Sequence, residues 1–205
     1  MWASTRSRPG APTRRLTADM EPLRDEELML RFRDGDASAF DALYSRHRAG
    51  LFRFILRQCP SRSDAEEIFQ EAWMKLIEAR FRYRVEARFS TYLYHIAVNR
   101  LIDRSRRRSR APAASLDDPD CPVESVVASA ADDTVRRAVA RQEATRVLTA
   151  LGDLPPEQRE TFLLHEEGGL SVAEIAEVTK VGVEAAKSRL RYALAKLREA
   201  LGGSS

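Results

Sequence analysis

Apolar residues recur three or four positions apart along most of this chain, the spacing that places them on one face of an α-helix. Through residues 37–59 this spacing predicts one long helix, which Asp36 can cap and Pro60 ends. The same spacing predicts a shorter helix over residues 22–33 and long helices over 64–79 and 89–110. No run of useful length alternates apolar and polar residues as a strand does, so the expected fold class is all-α.

The C-terminal part of the chain repeats this helical spacing in shorter pieces. Four helices are predicted there, at residues 133–152, 155–167, 171–178 and 183–201, and Asp132 or Asp133 is expected to cap the first of them. Ser171 and Glu174 form a capping box that begins the third of them. Gly182 favours a tight turn between the last two helices. Two helices joined in this way are typical of a helix-turn-helix, whose second helix enters a DNA major groove.

The last of these helices has an apolar face and an opposite face of small and basic residues. Its apolar stripe is Val183, Ala186, Leu190, Leu194, Leu197 and Leu201. The residues expected to face outward are Glu184, Ala185, Ser188, Arg189, Arg191 and Tyr192, with Lys187 on the flank. Small side chains permit close approach to bases, and Lys and Arg reach phosphates and guanine edges. A helical hairpin with a solvated basic face would show the same pattern, so this segment alone leaves both interpretations open.

The helix predicted over residues 64–79 has an acidic side, and a second capping box, Ser63 with Glu66, is expected to begin it. Its packed side is expected to consist of Ala65, Ile68, Phe69, Ala72, Leu76 and Ile77. The other side carries Asp64, Glu67, Gln70, Glu71 and Met74, with acids in the first turns where the helix dipole favours them. This side is either a solvated face or a docking surface for a basic partner, with Trp73 as an aromatic anchor.

Charge is segregated along the chain. Residues 81–110 contain nine arginines against two acids, and aromatic residues lie among the arginines. Aromatic side chains can stack on unpaired bases while cations hold the backbone, although an amphipathic core helix with a basic tail remains an alternative. Residues 111–134 contain six acids, no Lys or Arg and no apolar periodicity, which indicates a flexible linker.

Composition narrows the function classes further. The chain has 205 residues and a net charge of +3. Its two cysteines, Cys59 and Cys121, are far apart and its three histidines are scattered, so no disulfide framework, metal or cofactor is expected. No apolar run reaches transmembrane length, and the basic arm at residues 1–21 lacks the apolar core of a secretory signal. We expect a disordered arm, a start at either Met1 or Met20, and a cytoplasmic protein without membrane insertion.

Three segments together resemble bacterial RNA polymerase sigma factors of the extracytoplasmic-function (ECF) group. They are DAEEIFQEAW (64–73), FSTYLYHIAVNRLIDRSRRR (89–108) and LPPEQRETFLLHEEGGLSVAEIAEVTKVGVEAAKSRLRYALAKLRE (154–199). The resemblance implies two small helical domains, which we call the front module (residues 22–110, region 2) and the back module (residues 135–205, region 4). Residues 111–134 would be the acidic linker that follows the RNA exit path.

The resemblance also implies which residues form each interface. Those that would bind the clamp helices of the largest polymerase subunit are Asp64, Glu67, Gln70, Glu71 and Trp73. Those that would contact the −10 promoter element and its melted strand, here called the −10 set, are Arg84, Arg88, Tyr92, Tyr94, His95, Asn99, Arg100 and Arg104. Those that would read the −35 element are Glu184, Ala185, Lys187, Ser188, Arg189 and Arg191. The family often has Trp and Arg where this chain has Tyr92 and His95.

A sigma factor contributes binding energy that opens promoter DNA and has no catalytic chemistry of its own, and the resemblance implies control by an anti-sigma factor. A stand-alone helix-turn-helix repressor or activator is the alternative, but it leaves the acidic helix and the Arg-rich loop without a role. A nuclease would need a second cluster of carboxylates or histidines to face Asp64, Glu67 and Glu71. A structural adaptor would leave the basic surfaces unexplained.

Overall fold

The computed structural model describes residues 23–110 and 134–202, and within these two segments it contains eight α-helices and no strand. The helices are α1 (Asp25–Arg33), α2 (Ala37–Leu56), α3 (Arg62–Ala79), α4 (Phe89–Arg110), α5 (Thr134–Gly152), α6 (Pro156–Glu166), α7 (Val172–Thr179) and α8 (Val183–Gly202). A short 3-10 helix, Arg80–Arg82, follows α3. The all-α prediction is confirmed. The predicted arm, residues 111–133 of the predicted linker and the proposed cap at Asp132 or Asp133 lie outside the described residues.

The starts of α2 and α3 follow from local side-chain caps. Asp36 caps α2 as predicted, since its carboxylate accepts a hydrogen bond from the backbone N–H of Ser38 at 3.0 Å. The prediction for α3 is wrong by one half-turn. Ser61, in an extended conformation, is the cap, and its hydroxyl accepts from the N–H of Asp64 at 3.1 Å. Ser63 therefore lies inside the first turn of α3.

The helix-turn-helix forms as expected, except at its turn. The capping box of α7 is confirmed, with the Ser171 N–H donating to the Glu174 carboxylate at 2.8 Å. The residue that reverses the chain is Lys180 rather than Gly182. Lys180 has φ 57° and ψ 41°, the left-handed conformation, and the next N–H, of Val181, bonds the carbonyl of Ala176 at 3.0 Å. A non-glycine residue there costs roughly 1 kcal/mol, which the closed turn and the packing of Val181 offset.

The front module is a bundle of α1 to α4 around an apolar core. Its fully buried side chains include Leu43, Leu51, Phe54, Ile55, Leu76, Phe89 and Leu93. This core is continuous with that of the back module, because Leu163, Leu164, Leu170 and Ile175 pack into the same cluster. Helix α7 of the back module packs directly on α4 of the front module. The sequence predicts two modules but gives no indication of this contact between them.

A second, smaller core lies within the back module between α5, α6 and α8. Its members are Ala150, Leu151, Leu154, Ala193 and Leu197. The predicted apolar stripe of α8 is wrong at its two ends, since Val183 is 50% exposed and Leu201 is 43% exposed. Both stand near the ends of α8. None of the helices in the described segments is both long enough and apolar enough to span a membrane.

Candidate polymerase and nucleic-acid interfaces

Helix α3 presents the acidic side that the sequence predicts. Glu67 and Gln70 are exposed, and Asp64 and Glu71 are half-buried. Asp64, Glu67 and Glu71 stand three and four positions apart, so they share one face of the helix. Met74, also assigned to this side, has 61% of its surface exposed. An acidic face with one large apolar side chain at its end can dock a basic helix.

Trp73 is not part of that surface, so its placement as an exposed anchor is wrong. The side chain is 4% exposed and packs among the rings of Phe40, Tyr44 and Phe69, with centroid distances of 5.7, 5.0 and 6.3 Å. Its indole N–H is buried without a hydrogen-bond partner in the described part of the chain. The signal was available in the sequence, because Trp73 stands four positions after Phe69 and therefore shares its side of the helix. Trp73 thus belongs to the core behind the acidic side of α3.

Arg104 lies against the acids of α3, whereas the sequence analysis grouped it with the −10 set. Its guanidinium bonds Glu67 at 2.6 Å and also bonds Asp64. Arg108, one turn further along α4, lies 3.8 Å from Asp64. These pairs exist because α3 and α4 pack side by side, a contact that sequence spacing does not reveal. Two predicted polymerase-binding acids are therefore already paired within the chain.

The loop after α3 and the start of α4 form a cleft of about 230 Å³. The cleft is basic and aromatic on the front-module side, and α7 of the back module supplies the opposite wall. Its lining residues are Arg82, Tyr83, Arg84, Glu86, Ala87, Thr91, Tyr92, His95, Glu177 and Val178. Among them are three members of the −10 set, Arg84, Tyr92 and His95. The structure thus brings the exposed Arg84 beside two half-buried aromatic side chains.

Tyr83 is a cleft residue that was missing from the predicted −10 set. Its ring packs edge-on against Tyr92, with 5.3 Å between centroids, and burial raises its pKa to about 12. Its hydroxyl is buried, uncharged at neutral pH, and without a hydrogen-bond partner among the described residues. With only 4% of its surface exposed, Tyr83 supports the Tyr92 ring from behind. Its position in the aromatic and Arg-rich run at 81–88 was the only sequence signal for it.

His95 also lines this cleft. Its ring lies 3.2 Å from the Asn99 side-chain nitrogen, so the two members of the −10 set are neighbours. Burial lowers the pKa of His95, and the nearby Lys180 lowers it further, while Glu177 opposes both effects. His95 is therefore neutral at pH 7 and offers a hydrogen-bonding edge rather than a positive charge.

The other members of the −10 set are engaged within the chain. Tyr94 was expected on an exposed face, and this placement is wrong. It is 1% exposed, its hydroxyl donates to the backbone carbonyl of Glu167 at 2.8 Å, and burial raises its pKa. Arg88 donates to the carbonyl of Gly169 at 3.1 Å, and Arg100 pairs with Asp103 at 3.1 Å. The back module therefore covers part of this side of α4.

The outward side of α8 carries the residues predicted to read the −35 element. Glu184, Ala185, Lys187 and Arg191 are exposed, and Ser188 and Arg189 are half-buried. Next to them Tyr192 is 53% exposed, and the Arg191 guanidinium lies 5.1 Å from the centroid of its ring. Arg189 faces Glu160 of α6: burial raises the pKa of Glu160, and the charge of Arg189 opposes that shift. The helix therefore combines a small side chain, several cations and one acid on a single accessible side.

The described residues show no geometry for metal chemistry. No three His, Cys, Asp or Glu side chains in segments 23–110 and 134–202 lie close enough together to hold a metal ion. Cys59 is half-buried, and burial raises the pKa of its thiol to about 11, so the reactive thiolate is scarce at neutral pH.

Comparison with known proteins places each module in a described family. The family model for Sigma-70 region 2 matches residues 43–111, and that for Sigma-70 region 4 matches residues 144–197. The RNA polymerase sigma factor CarQ of Myxococcus xanthus is 34% identical over 175 residues, covering 85% of this chain and 95% of CarQ. The ECF RNA polymerase sigma factor SigM of Mycobacterium tuberculosis is 33% identical over 178 residues, covering 87% of this chain and 85% of SigM.

A solved structure has the same fold. It is that of the sigma factor RpoE in complex with the anti-sigma factor NepR from Bartonella quintana, with a TM-score of 0.60 and 19% identity over 81% of this chain and 98% of that one. The two modules, their order and the helix-turn-helix define a sigma factor of the sigma-70 type. The identity to SigM and CarQ across both modules makes the assignment narrower: the chain belongs to the ECF family of RNA polymerase sigma factors.

Proposed function

We propose that this chain binds bacterial core RNA polymerase and directs it to promoters, reading the −35 element with α8 and recognising and melting the −10 element with the front module. One observation carries the proposal: region 2 and region 4 matches occur in a single chain, in the order that sigma factors have. A stand-alone repressor or activator would require only the helix-turn-helix and would leave the region 2 match without a role.

The acidic side of α3 is the proposed polymerase-docking surface, made by Asp64, Glu67, Gln70 and Glu71. Trp73 serves as the buried support of that helix. A basic surface on the polymerase would compete with Arg104 for two of these acids. Charge complementarity of this kind chiefly speeds association and selects the partner.

The cleft beside α4 is the proposed site for the −10 element. Taking a base out of the stack costs a few kcal/mol, and stacking on aromatic rings can offset that cost. Tyr92 supplies a half-buried ring at the cleft, with Tyr83 packed against it from behind, and Arg84 supplies an exposed cation for the backbone.

The proposed role involves binding without catalysis. The protein would lower the free energy of promoter opening while the polymerase makes RNA, with no cofactor of its own, and it would work in the bacterial cytoplasm where polymerase and chromosome meet. Each module alone should bind DNA weakly, and holding both on one polymerase raises their effective concentration at the promoter. By analogy with RpoE, which forms a complex with the anti-sigma factor NepR, we propose an anti-sigma factor as a further partner.

The docking surface is tested by reversing its charge. Glu67→Lys combined with Glu71→Lys should weaken binding to purified core polymerase at least tenfold, because two attractive contacts become repulsive. Glu78→Lys is the matched control, since Glu78 lies on the same helix, is exposed and is outside the proposed surface. Fluorescence anisotropy of labelled protein against core polymerase, without DNA, gives the affinities. Equal weakening in the double variant and in the control, or no weakening in either, would contradict docking through this surface.

A further inference from the structure

The two modules are joined by a compact group of polar contacts at the end of α6. Glu167 follows that helix, and its side chain is only 10% exposed. Arg53 of α2 donates to one carboxylate oxygen from Nε at 2.8 Å and from Nη2 at 2.7 Å, and Arg57 bonds the other oxygen. The backbone carbonyl of Glu167 accepts the Tyr94 hydroxyl of α4 at 2.8 Å. These four residues, the Glu167 cluster, tie the back module to two helices of the front module.

Gly50 lets the modules approach each other this closely. A Cβ atom at this position would lie 2.9 Å from the Glu167 carbonyl oxygen and 3.2 Å from the Tyr94 hydroxyl. The nearer of these two atoms is the backbone oxygen of Glu167, which cannot move aside as the end of a flexible side chain can. Gly50 stands in the middle of α2, where glycine weakens a helix relative to alanine. The contact between the modules gives a physical reason for a glycine there.

A second set of contacts runs along α7. The Thr91 hydroxyl, on α4, donates to the Glu174 carboxylate at 2.8 Å, and Thr91 is 3% exposed. Arg88 donates to the carbonyl of Gly169 at 3.1 Å and lies 3.8 Å from Glu174. Burial raises the pKa of Glu174, but hydrogen bonds from Ser171 and Thr91 outweigh it, so the pKa lies below its ordinary value and the carboxylate is charged. The back module therefore contacts the front module through these polar groups as well as through the shared apolar core.

This interface occupies part of the surface proposed for the −10 element. Arg88 and Tyr94 of the −10 set hydrogen-bond the back module, and His95 lies near Glu177 and Lys180 of α7 and the turn after it. Glu177 also lines the cleft, so an acid stands where DNA phosphates would approach. In this arrangement the −10 site is narrowed and partly neutralised by the back module.

The same arrangement cannot engage both promoter elements at once. The −10 and −35 elements lie about 25 base pairs apart, or about 85 Å along a duplex. A helical module of this size is about 30 Å across. Two modules in direct contact therefore cannot reach both elements, and they must separate before the chain can act.

We propose that the packed arrangement is an autoinhibited state of the free chain, held closed by the Glu167 cluster. Opening uncovers Tyr94 and Thr91, releases Arg88 from the Gly169 carbonyl, and frees the back module to reach the −35 element. The contact itself is independent of the proposed function, but its regulatory consequence rests on that function. The apparent affinity of the chain for the polymerase and promoter is reduced by the fraction of molecules that are open, so weakening the cluster should increase activity.

Three variants separate this proposal from a general loss of stability. Glu167→Gln keeps the shape of the side chain and removes the charge that holds Arg53 and Arg57. Gly50→Ala should strengthen α2 as an isolated helix while pushing the Glu167 carbonyl away, so it opens the interface without weakening the front module. Glu166→Gln is the matched control, because Glu166 is the exposed neighbour of Glu167.

The first measurement is the distance between the modules in the full-length chain without polymerase. Cys59 and Cys121 are replaced by serine, and spin labels are attached at Glu78→Cys on α3 and Lys196→Cys on α8, both exposed positions. Double electron–electron resonance should give one narrow distance distribution for the parent and for Glu166→Gln. It should give longer, broader distributions for Glu167→Gln and Gly50→Ala. An unchanged distance distribution in both variants would contradict the proposal that the Glu167 cluster holds the two modules together.

The second measurement is the concentration of chain that gives half-maximal transcription with purified core polymerase, on promoters selected from a random upstream library. Glu167→Gln and Gly50→Ala should lower that concentration roughly three- to tenfold, the range for partly exposed charged contacts, while Glu166→Gln leaves it unchanged. Wider distances with an unchanged or higher half-maximal concentration would overturn autoinhibition. If neither the parent chain nor any variant supports transcription, the proposed sigma function is wrong, and the proposed autoinhibition is wrong with it. The distance measurement would still show whether the Glu167 cluster holds the two modules together.

Discussion

At the scale of single residues, burial separates side chains that support a surface from those that form it. Trp73 and Tyr94 were expected to contact polymerase and DNA, and both are almost completely buried. Trp73 could have been placed correctly from its spacing to Phe69. Tyr94 could not, because the group that buries it, the Glu167 carbonyl, is 73 positions further along the chain. Sequence periodicity reports the packed side of one helix and carries no information about a second partner on the other side.

Trp73 provides the residue-scale test of this distinction. Trp73→Ala should lower the free energy of unfolding by about 3–5 kcal/mol, because it leaves a cavity among three aromatic rings. Met74→Ala is the control: the neighbouring side chain is 61% exposed and its loss should change stability by no more than about 0.5 kcal/mol. Urea unfolding followed by circular dichroism gives both values. Similar small losses for the two variants would mean that Trp73 lies on the surface.

At the scale of elements, the sequence predicts which helices exist better than it predicts where they begin. All eight helices were expected, and the caps at Asp36 and Ser171 are confirmed. The start of α3 was misplaced because Ser61 and Ser63 both precede acids that could complete a cap. The backbone conformation shows which serine is the cap, because Ser61 is extended, with φ −133°, whereas Ser63 already lies within the helix. The turn of the helix-turn-helix was misplaced in the same way. Gly182 was expected to make the turn, but Lys180 is the residue with the left-handed backbone conformation.

The cap of α3 can be tested with a matched pair of serines. Ser61→Ala should lower the free energy of unfolding by about 1 kcal/mol, because the Asp64 N–H loses its hydrogen-bond acceptor. Ser63→Ala, two residues away and exposed, should change it by no more than about 0.5 kcal/mol. Thermal and urea unfolding of both variants measure the difference. A larger loss for Ser63→Ala would return the cap to the position that the sequence analysis gave it.

At the scale of the whole molecule, the two modules pack against each other. The order of modules, the acidic helix, the Arg-rich loop and the helix-turn-helix could all be predicted from residue patterns, and with them the ECF sigma factor family. The packing of α7 on α4 could not, since its contacts join residues more than 70 positions apart. The structure therefore adds what the sequence lacks, an interface within the chain that covers part of the proposed −10 site.

Sequence-selective initiation is the central claim of this account, and one measurement tests it directly. Purified core polymerase is supplied with a random upstream DNA library, with and without the chain, and the start sites are mapped by sequencing the transcripts. Two further reactions use Arg189→Ala, which removes a proposed −35 contact, and Lys196→Ala, an exposed cation on the same helix outside the proposed set. The wild-type chain should produce new starts that share a −35 and a −10 element.

Arg189→Ala should relax selection at one or two −35 positions by about 1–3 kcal/mol, the value of a good contact between a side chain and a base, and Lys196→Ala should leave the preference unchanged. This result would establish the chain as a sigma factor and reveal its promoter in the same experiment. DNA binding by the chain without polymerase, combined with no new starts when polymerase is present, would contradict the account and favour a stand-alone regulator.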